Sequence, residues 1–291
     1  MQKFIGTGIA LVTPFKDDLT VDVDALIKLV NFNINNGADY LVINGTTAES
    51  ATISLEEKEE IIAIIVKENN KRLPLVLGVG GNNTLEVVKE LQARDFSGID
   101  GILSVVPYYS KPTQEGFYQH YKALAEATDL PIILYNVPGR TAKNMEPLTT
   151  LRLANDFDNI IAVKEAGNNQ QQYNILLKDK PVDFLIISGD DDLALGVTLA
   201  GGSGVISVIG QAFPKEFSTM INLGLQGNNK EGYDIHFKMM DVIDFIFEEN
   251  NPAGIKTVLQ ELGICSNNVR LPLVKTSKEL GSKIANYVSN L

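Results

Sequence analysis

Eight short apolar runs, bounded by Gly, Pro or Asn, recur between residues 6 and 208 and leave few ways to fold this chain. They cover 6–13, 40–44, 74–80, 101–107, 131–137, 160–164, 184–189 and 204–208. Each is apolar throughout rather than alternating, the pattern of parallel strands covered on both faces. Helical spacing fills the gaps, for instance over 23–36, 54–69, 84–94 and 114–127, and Ser54 followed by Glu57 has the form of a capping box. Eight strand–helix alternations predict an α/β chain closed into a (β/α)8 TIM barrel, with an open doubly wound sheet as the competitor. Against a dinucleotide-binding sheet, Gly6-Thr7-Gly8 lies inside the first run and Gly78-Val79-Gly80-Gly81 has the wrong spacing. Beyond Gly227 the strand signal stops, and 233–249, 252–262 and 277–290 read as helices. The expected organisation is a catalytic barrel over 1–227 and a small C-terminal helical domain over 228–291, jointed at Gly227-Asn228-Asn229, where Gly and Asn tolerate left-handed backbone.

Composition narrows the function classes. A formal net charge of −11 without a Lys/Arg cluster argues against nucleic acid as a partner. No apolar stretch approaches the ~18 residues of a membrane span, and the start lacks the form of a secretory signal. The single cysteine, Cys265, cannot form an internal disulfide, which fits a cytoplasmic setting. His120 and His236, the only histidines, have no Cys or carboxylate at ligand spacing, so no metal is expected. Asp190-Asp191-Asp192 reads as helix-start carboxylates.

In a barrel the strand C-termini and the loops after them carry the chemistry. The sixth run ends Val163-Lys164-Glu165-Ala166, and alternation puts Lys164 on the face of Ile160 and Ala162, with Glu165 opposite. Lys164 either caps the strand and reaches solvent or is a buried amine, neutral enough to attack a ketone and form a Schiff base. The fifth run ends in Tyr135, with Arg140 in the turn that follows. Tyr135 is either a packed aromatic or a proton shuttle; Arg140 is either a solvated charge or a bidentate clamp for a carboxylate. After the second run, Gly45-Thr46-Thr47 offers N–H groups and hydroxyls at one corner, and the fourth run leads into Tyr108-Tyr109.

Taken in order and spacing, Gly45-Thr46-Thr47-x-Glu49-Ser50, Pro107-Tyr108-Tyr109, Tyr135-Asn136-Val137-Pro138-x-Arg140-Thr141 and Val163-Lys164-Glu165-Ala166 closely resemble the dihydrodipicolinate synthases, within the pyruvate-dependent aldolases that also include N-acetylneuraminate lyase. Ser188-Gly189-Asp190-Asp191 and 204–208 extend the match, as do Asn251-Pro252 and Arg270-Leu271-Pro272 in the tail. The resemblance implies a cofactor-free condensation of pyruvate with L-aspartate 4-semialdehyde, on the route to diaminopimelate and lysine. It implies Lys164 as the Schiff-base lysine and Tyr135 as proton donor and acceptor, linked to Thr46 and Tyr109. It further implies Thr47 and Ile206 against pyruvate, Gly189 lining the site and Arg140 on the semialdehyde carboxylate. The family tyrosine matching Tyr109 comes from a neighbouring subunit, so an oligomer, by resemblance a homotetramer, is expected.

Ser50, Ala51, Asn82, Glu86 and Tyr108 match the allosteric site at which some members bind L-lysine as feedback inhibitor. Two histidines common in feedback-sensitive members are Leu55 and Lys58 here, which leaves inhibition open, and Ala48 stands where the family often has Gly. The closest rival, a neuraminate lyase, typically carries Gly-Ser-Thr in place of Gly45-Thr46-Thr47.

Overall fold

A computed structural model describes residues 2–290. Strands β1 (Gly6–Ala10), β2 (Tyr40–Ile43), β3 (Leu75–Gly78), β4 (Gly101–Val105), β5 (Ile132–Asn136), β6 (Ile160–Glu165), β7 (Leu185–Ser188) and β8 (Gly204–Ser207) close into one barrel in chain order. Every pairing is parallel, including β1 with β8. The helices in order are α1 (Val23–Asn35), α2 (Leu55–Asn69), α3 (Thr84–Ala93), α4 (Gln114–Ala125), α5 (Pro138–Thr141), α6 (Pro147–Asp156), α7 (Gln170–Asp179), α8 (Ala194–Leu199), α9 (Pro214–Leu225), α10 (Asn229–Glu248), α11 (Ala253–Glu261) and α12 (Lys278–Ser289). None of the described helices is long and apolar enough to cross a membrane.

Local chemistry sets the helix starts. Ser54 accepts from the Glu57 N–H at 3.2 Å while the Glu57 carboxylate accepts from the Ser54 N–H at 3.0 Å, the capping box read from the sequence. Asp22 and Ser277 cap α1 and α12 from one side only, accepting from the Ala25 and Leu280 N–H groups.

Two apolar layers follow from strands covered on both faces. One fills the barrel, with Ala10, Val42, Leu103, Tyr135 and Ile206 among its members; the other lies between strands and helices. At the strand starts β1 and β8 approach so closely that a Cβ on Gly204 would sit 1.9 Å from the Gly6 carbonyl oxygen. Both glycines also have positive φ, 103° and 129°, so closure depends on them. The glycine-rich segment 201–204 therefore serves the barrel's base and not its catalytic mouth.

One facing expected from alternation is overturned. Ile160 packs in the outer layer, while Ile161 and Ala162 both belong to the barrel interior. The register shifts between Ile132 and Ile133, which pair with Ile160 and Ala162, so β6 carries an extra residue. A bulge resets which side chains point inward, and simple alternation cannot see it. Above it Lys164 still shares the inward face of Ala162.

The chain after Gly227, whose φ is 78°, is helical. Helix α10 packs on α8 and α9, and α11 and α12 pack on α10. The turn holding Arg140 is the short helix α5, begun by Pro138.

Candidate active site

At the C-terminal ends of the strands a cavity of about 760 Å³ opens, lined by Thr46, Thr47, Tyr135, Arg140, Lys164 and Gly189 among others. Lys164 and Tyr135 are register partners on β6 and β5, and the lysine Nζ lies 4.4 Å from the centre of the tyrosine ring. Only 5% of Lys164 is exposed, against 7% of Tyr135. Apolar Ala10, Val42 and Leu103 line the same cavity around the amine. Gly189 makes room for it: a Cβ there would lie 3.1 Å from Lys164 Cε and 2.6 Å from the Ala166 Cβ.

The threonine corner is built from backbone geometry. Asn44 turns the chain with φ 55°, a 3-10 turn runs over Thr46–Ala48, and Glu49 ends it with φ 59°. The first N–H groups of such a turn have no acceptor within it and are free for an anion. Thr47 Oγ1 accepts from Asn251 Nδ2 at 3.0 Å, which leaves its own O–H to donate. Arg140 is exposed, lines the cavity and donates from Nη2 to the Asn251 carbonyl at 3.2 Å.

Carboxylates form another wall. Burial pushes Asp190 and Asp191 up to about 6, and the Lys164 charge opposes that rise in both. Asp191 accepts from the N–H groups of Val208, at 3.1 Å, and Ile209, at 2.9 Å, so it pins the end of β8 and does not cap α8. Asp244, Phe247 and Glu248 of α10 and Asn251 in the turn after it close the cavity. Reading the residues one run at a time missed this wall, because α10 is more than sixty residues from Lys164 and carries no strand-end signal. The resemblance in Asn251-Pro252 was the one pointer to it.

The remaining expected residues fall elsewhere. Ile206 is fully buried in the barrel interior with Tyr135 and is not among the cavity-lining side chains, whereas Val208 is. Tyr109 is 89% exposed with φ 67° and lines no part of its own chain's cavity. Of the five residues matching an allosteric site, Ser50 lines a second cavity of about 120 Å³ with Lys58, Glu90, Arg94, Thr46 and Tyr135. Asn82 Nδ2 donates to the Tyr108 carbonyl at 3.4 Å, Glu86 pairs with Lys89 at 2.8 Å, and Ala51 is exposed.

A sequence model of the Dihydrodipicolinate synthetase family matches residues 3–291. The chain belongs to this family. Within the dihydrodipicolinate synthetases it is 58% identical over 291 residues to the 4-hydroxy-tetrahydrodipicolinate synthase of Flavobacterium psychrophilum, covering 100% of this chain and 99% of the relative. The chloride-inhibited dihydrodipicolinate synthase from Acinetobacter baumannii, solved in complex with pyruvate, superposes with a TM-score of 0.95 at 37% identity over 98% of each chain. The enzyme from Cyanidioschyzon merolae, solved with lysine bound, gives 0.94 at 35% identity over 99% of this chain and 98% of that one. The family's barrel is thus the fold described above.

Proposed function

We propose that this chain is a cytoplasmic 4-hydroxy-tetrahydrodipicolinate synthase, a lyase that condenses pyruvate with L-aspartate 4-semialdehyde through a Schiff base on Lys164. The observation that carries the reading is the Lys164–Tyr135 pair, buried at adjacent strand ends in a cavity that also presents Thr47 and Arg140. Neutral Lys164 attacks the pyruvate ketone and water leaves, with Tyr135 passing protons to and from the departing oxygen. Loss of a methyl proton gives an enamine whose carbon attacks the aldehyde. Thr47 offers N–H and O–H donors to the pyruvate carboxylate, and Ile206 packs against pyruvate. Thr46 links Tyr135 to Tyr109 in the proton relay, and Gly189 keeps the lysine's path open. Arg140 holds the carboxylate of the semialdehyde. Once the new bond has formed, the semialdehyde's amine displaces Lys164 and closes the ring, so no cofactor is required.

Tyr109, exposed in its own chain, would complete the proton path of a neighbouring copy, which makes the working form an oligomer. A homotetramer is our assignment, supported by family membership. Ser50, Ala51, Asn82, Glu86 and Tyr108 form the candidate lysine site. Lys58 lines the cavity beside Ser50, and its positive charge disfavours a cationic ligand there.

Borohydride reduction in the presence of pyruvate, followed by mass spectrometry, tests the chemistry. A reduced pyruvate adduct on Lys164, absent from Lys164→Ala, is expected together with semialdehyde-dependent turnover. An adduct on another lysine, or cleavage of N-acetylneuraminate without semialdehyde condensation, would overturn the assignment.

A further inference from the structure

On the face of β6 that looks toward α7 lies a carboxylate that the reaction above does not use. Glu165 is fully buried, and its side-chain oxygens meet N–H groups. Asn136 Nδ2 donates to both oxygens at 3.0 and 2.9 Å, and Gln172 Nε2 donates to Oε2 at 2.7 Å. Gly167 lets the chain pass close by: a Cβ there would fall 2.6 Å from Glu165 Oε1. Neither amide can turn around to offer its oxygen. Asn136 Oδ1 already accepts from the Met145 N–H, and Gln172 Oε1 from Asn144 Nδ2, each at 2.9 Å.

This arrangement suits an ionised carboxylate better than the acid. An acid O–H would have to point at a donor, and a fully buried, unmatched polar group is costly. No salt bridge to Glu165 exists among the described residues. The charged or titratable groups around it are Asp190 from the loop after β7, which opposes its ionisation, and the Tyr173 hydroxyl of α7, which donates to the Glu165 carbonyl. Lys164 and Tyr135 lie on the opposite faces of β6 and β5, and the α5–α6 connection presents only the uncharged Asn144 and Met145. Asn136 pairs with Glu165 one step along the same two strands on which Tyr135 pairs with Lys164.

We infer that Glu165 is a positioning residue: its ionised carboxylate clasps Asn136 and Gln172 behind the strands and so holds Lys164 against Tyr135, and protonation opens the clasp. This rests on the Schiff-base role proposed for Lys164. Burial drives Glu165 up while the Asn136 and Gln172 hydrogen bonds pull it down, and the balance lies at about 7. The clasp therefore loosens near neutral pH.

The rate of pyruvate adduct formation on Lys164, quenched with borohydride at intervals between about pH 5.5 and 8.5, reads this out in the full-length protein. The wild type is expected to slow as pH falls through about 7. Glu165→Gln keeps the size but sets an NH2 group among donors, so its adduct should form about tenfold more slowly at pH 8, with the acid limb gone. Gln172→Met removes one donor to the carboxylate and should move the limb upward by about one unit. The second variant decides the matter if the first fails to fold. A limb unmoved in Gln172→Met, or retained in Glu165→Gln, would assign it to Lys164 itself and refute the clasp. No adduct on wild-type Lys164 at any pH would instead remove the functional reading, and the clasp with it.

Discussion

Single residues divide into those whose chemistry is written in their neighbours and those whose facing is not. Lys164 at the end of an apolar run leaves two options open in sequence, a solvated cap or a buried amine; its 5% exposure decides for burial. Alternation places Ile160 inward, and it packs outward because the bulge beside it has no local signature. Arg140 is the residue whose two options remain farthest apart, since it is exposed and bonded only to the Asn251 carbonyl. If it holds the semialdehyde carboxylate, Arg140→Ala should leave pyruvate adduct formation on Lys164 intact. The value of kcat/KM for the semialdehyde should fall about a hundredfold, the scale of a lost charge-assisted bidentate contact. Steady-state kinetics with each substrate varied, alongside the borohydride assay, would check this; equal loss of both would place Arg140 in pyruvate chemistry instead.

At the level of elements, the strand order and the capped helices are legible because burial on both faces and caps are local properties. What holds the threonine corner is not. Glu49, at the left-handed end of the Thr46–Ala48 turn, pairs with buried Lys256 of α11 at 2.6 Å and accepts from the Arg270 N–H at 2.9 Å. Asn251 reaches Thr47, and Arg270 grips Glu57 of α2 at 2.6 and 2.7 Å while lying 4.4 Å from the Phe15 ring centre. These partners are more than two hundred positions apart, so no window of sequence contains them. The C-terminal helices are thereby a brace for the second βα loop.

The Arg270 side chain hydrogen-bonds Glu57 and holds it down to about 2, against an ordinary 4.5. A carboxyl depressed in the folded state binds fewer protons there than when unfolded. Its contribution is therefore complete above about pH 4.5 and lost as pH falls toward 2. With both side chains partly screened by solvent, the contact stabilises by about 1–2 kcal/mol. Glu57→Gln should lower Tm at pH 7 and converge on the wild type only as pH falls to about 2; thermal melts across that interval would check it, and a constant difference would remove the ion pair as the cause.

For the molecule as a whole, Tyr109 is the candidate catalytic residue that lines no part of its own chain's cavity. Tyr109 stands 89% exposed with φ 67°, in the left-handed region that bulky residues rarely adopt. Leu55 and Leu85 are exposed too, by 64% and 71%, and an apolar surface of this kind fits an interface between copies. If each site takes Tyr109 from a neighbour in a two-fold arrangement, two differently inactive chains should repair one another. Lys164→Ala lacks the nucleophile but carries Tyr109; Tyr109→Phe lacks the hydroxyl but carries Lys164. Each variant alone should be nearly inactive or slow, because its sites lack one group. Unfolded together and refolded at equal ratio, half of the pairs combine both chains and one of their two sites is intact. Activity should then reach about a quarter of the wild type. If mixing yields no more than the average of the separate variants, Tyr109 serves its own chain or none, and the proton path would have to end at Thr46.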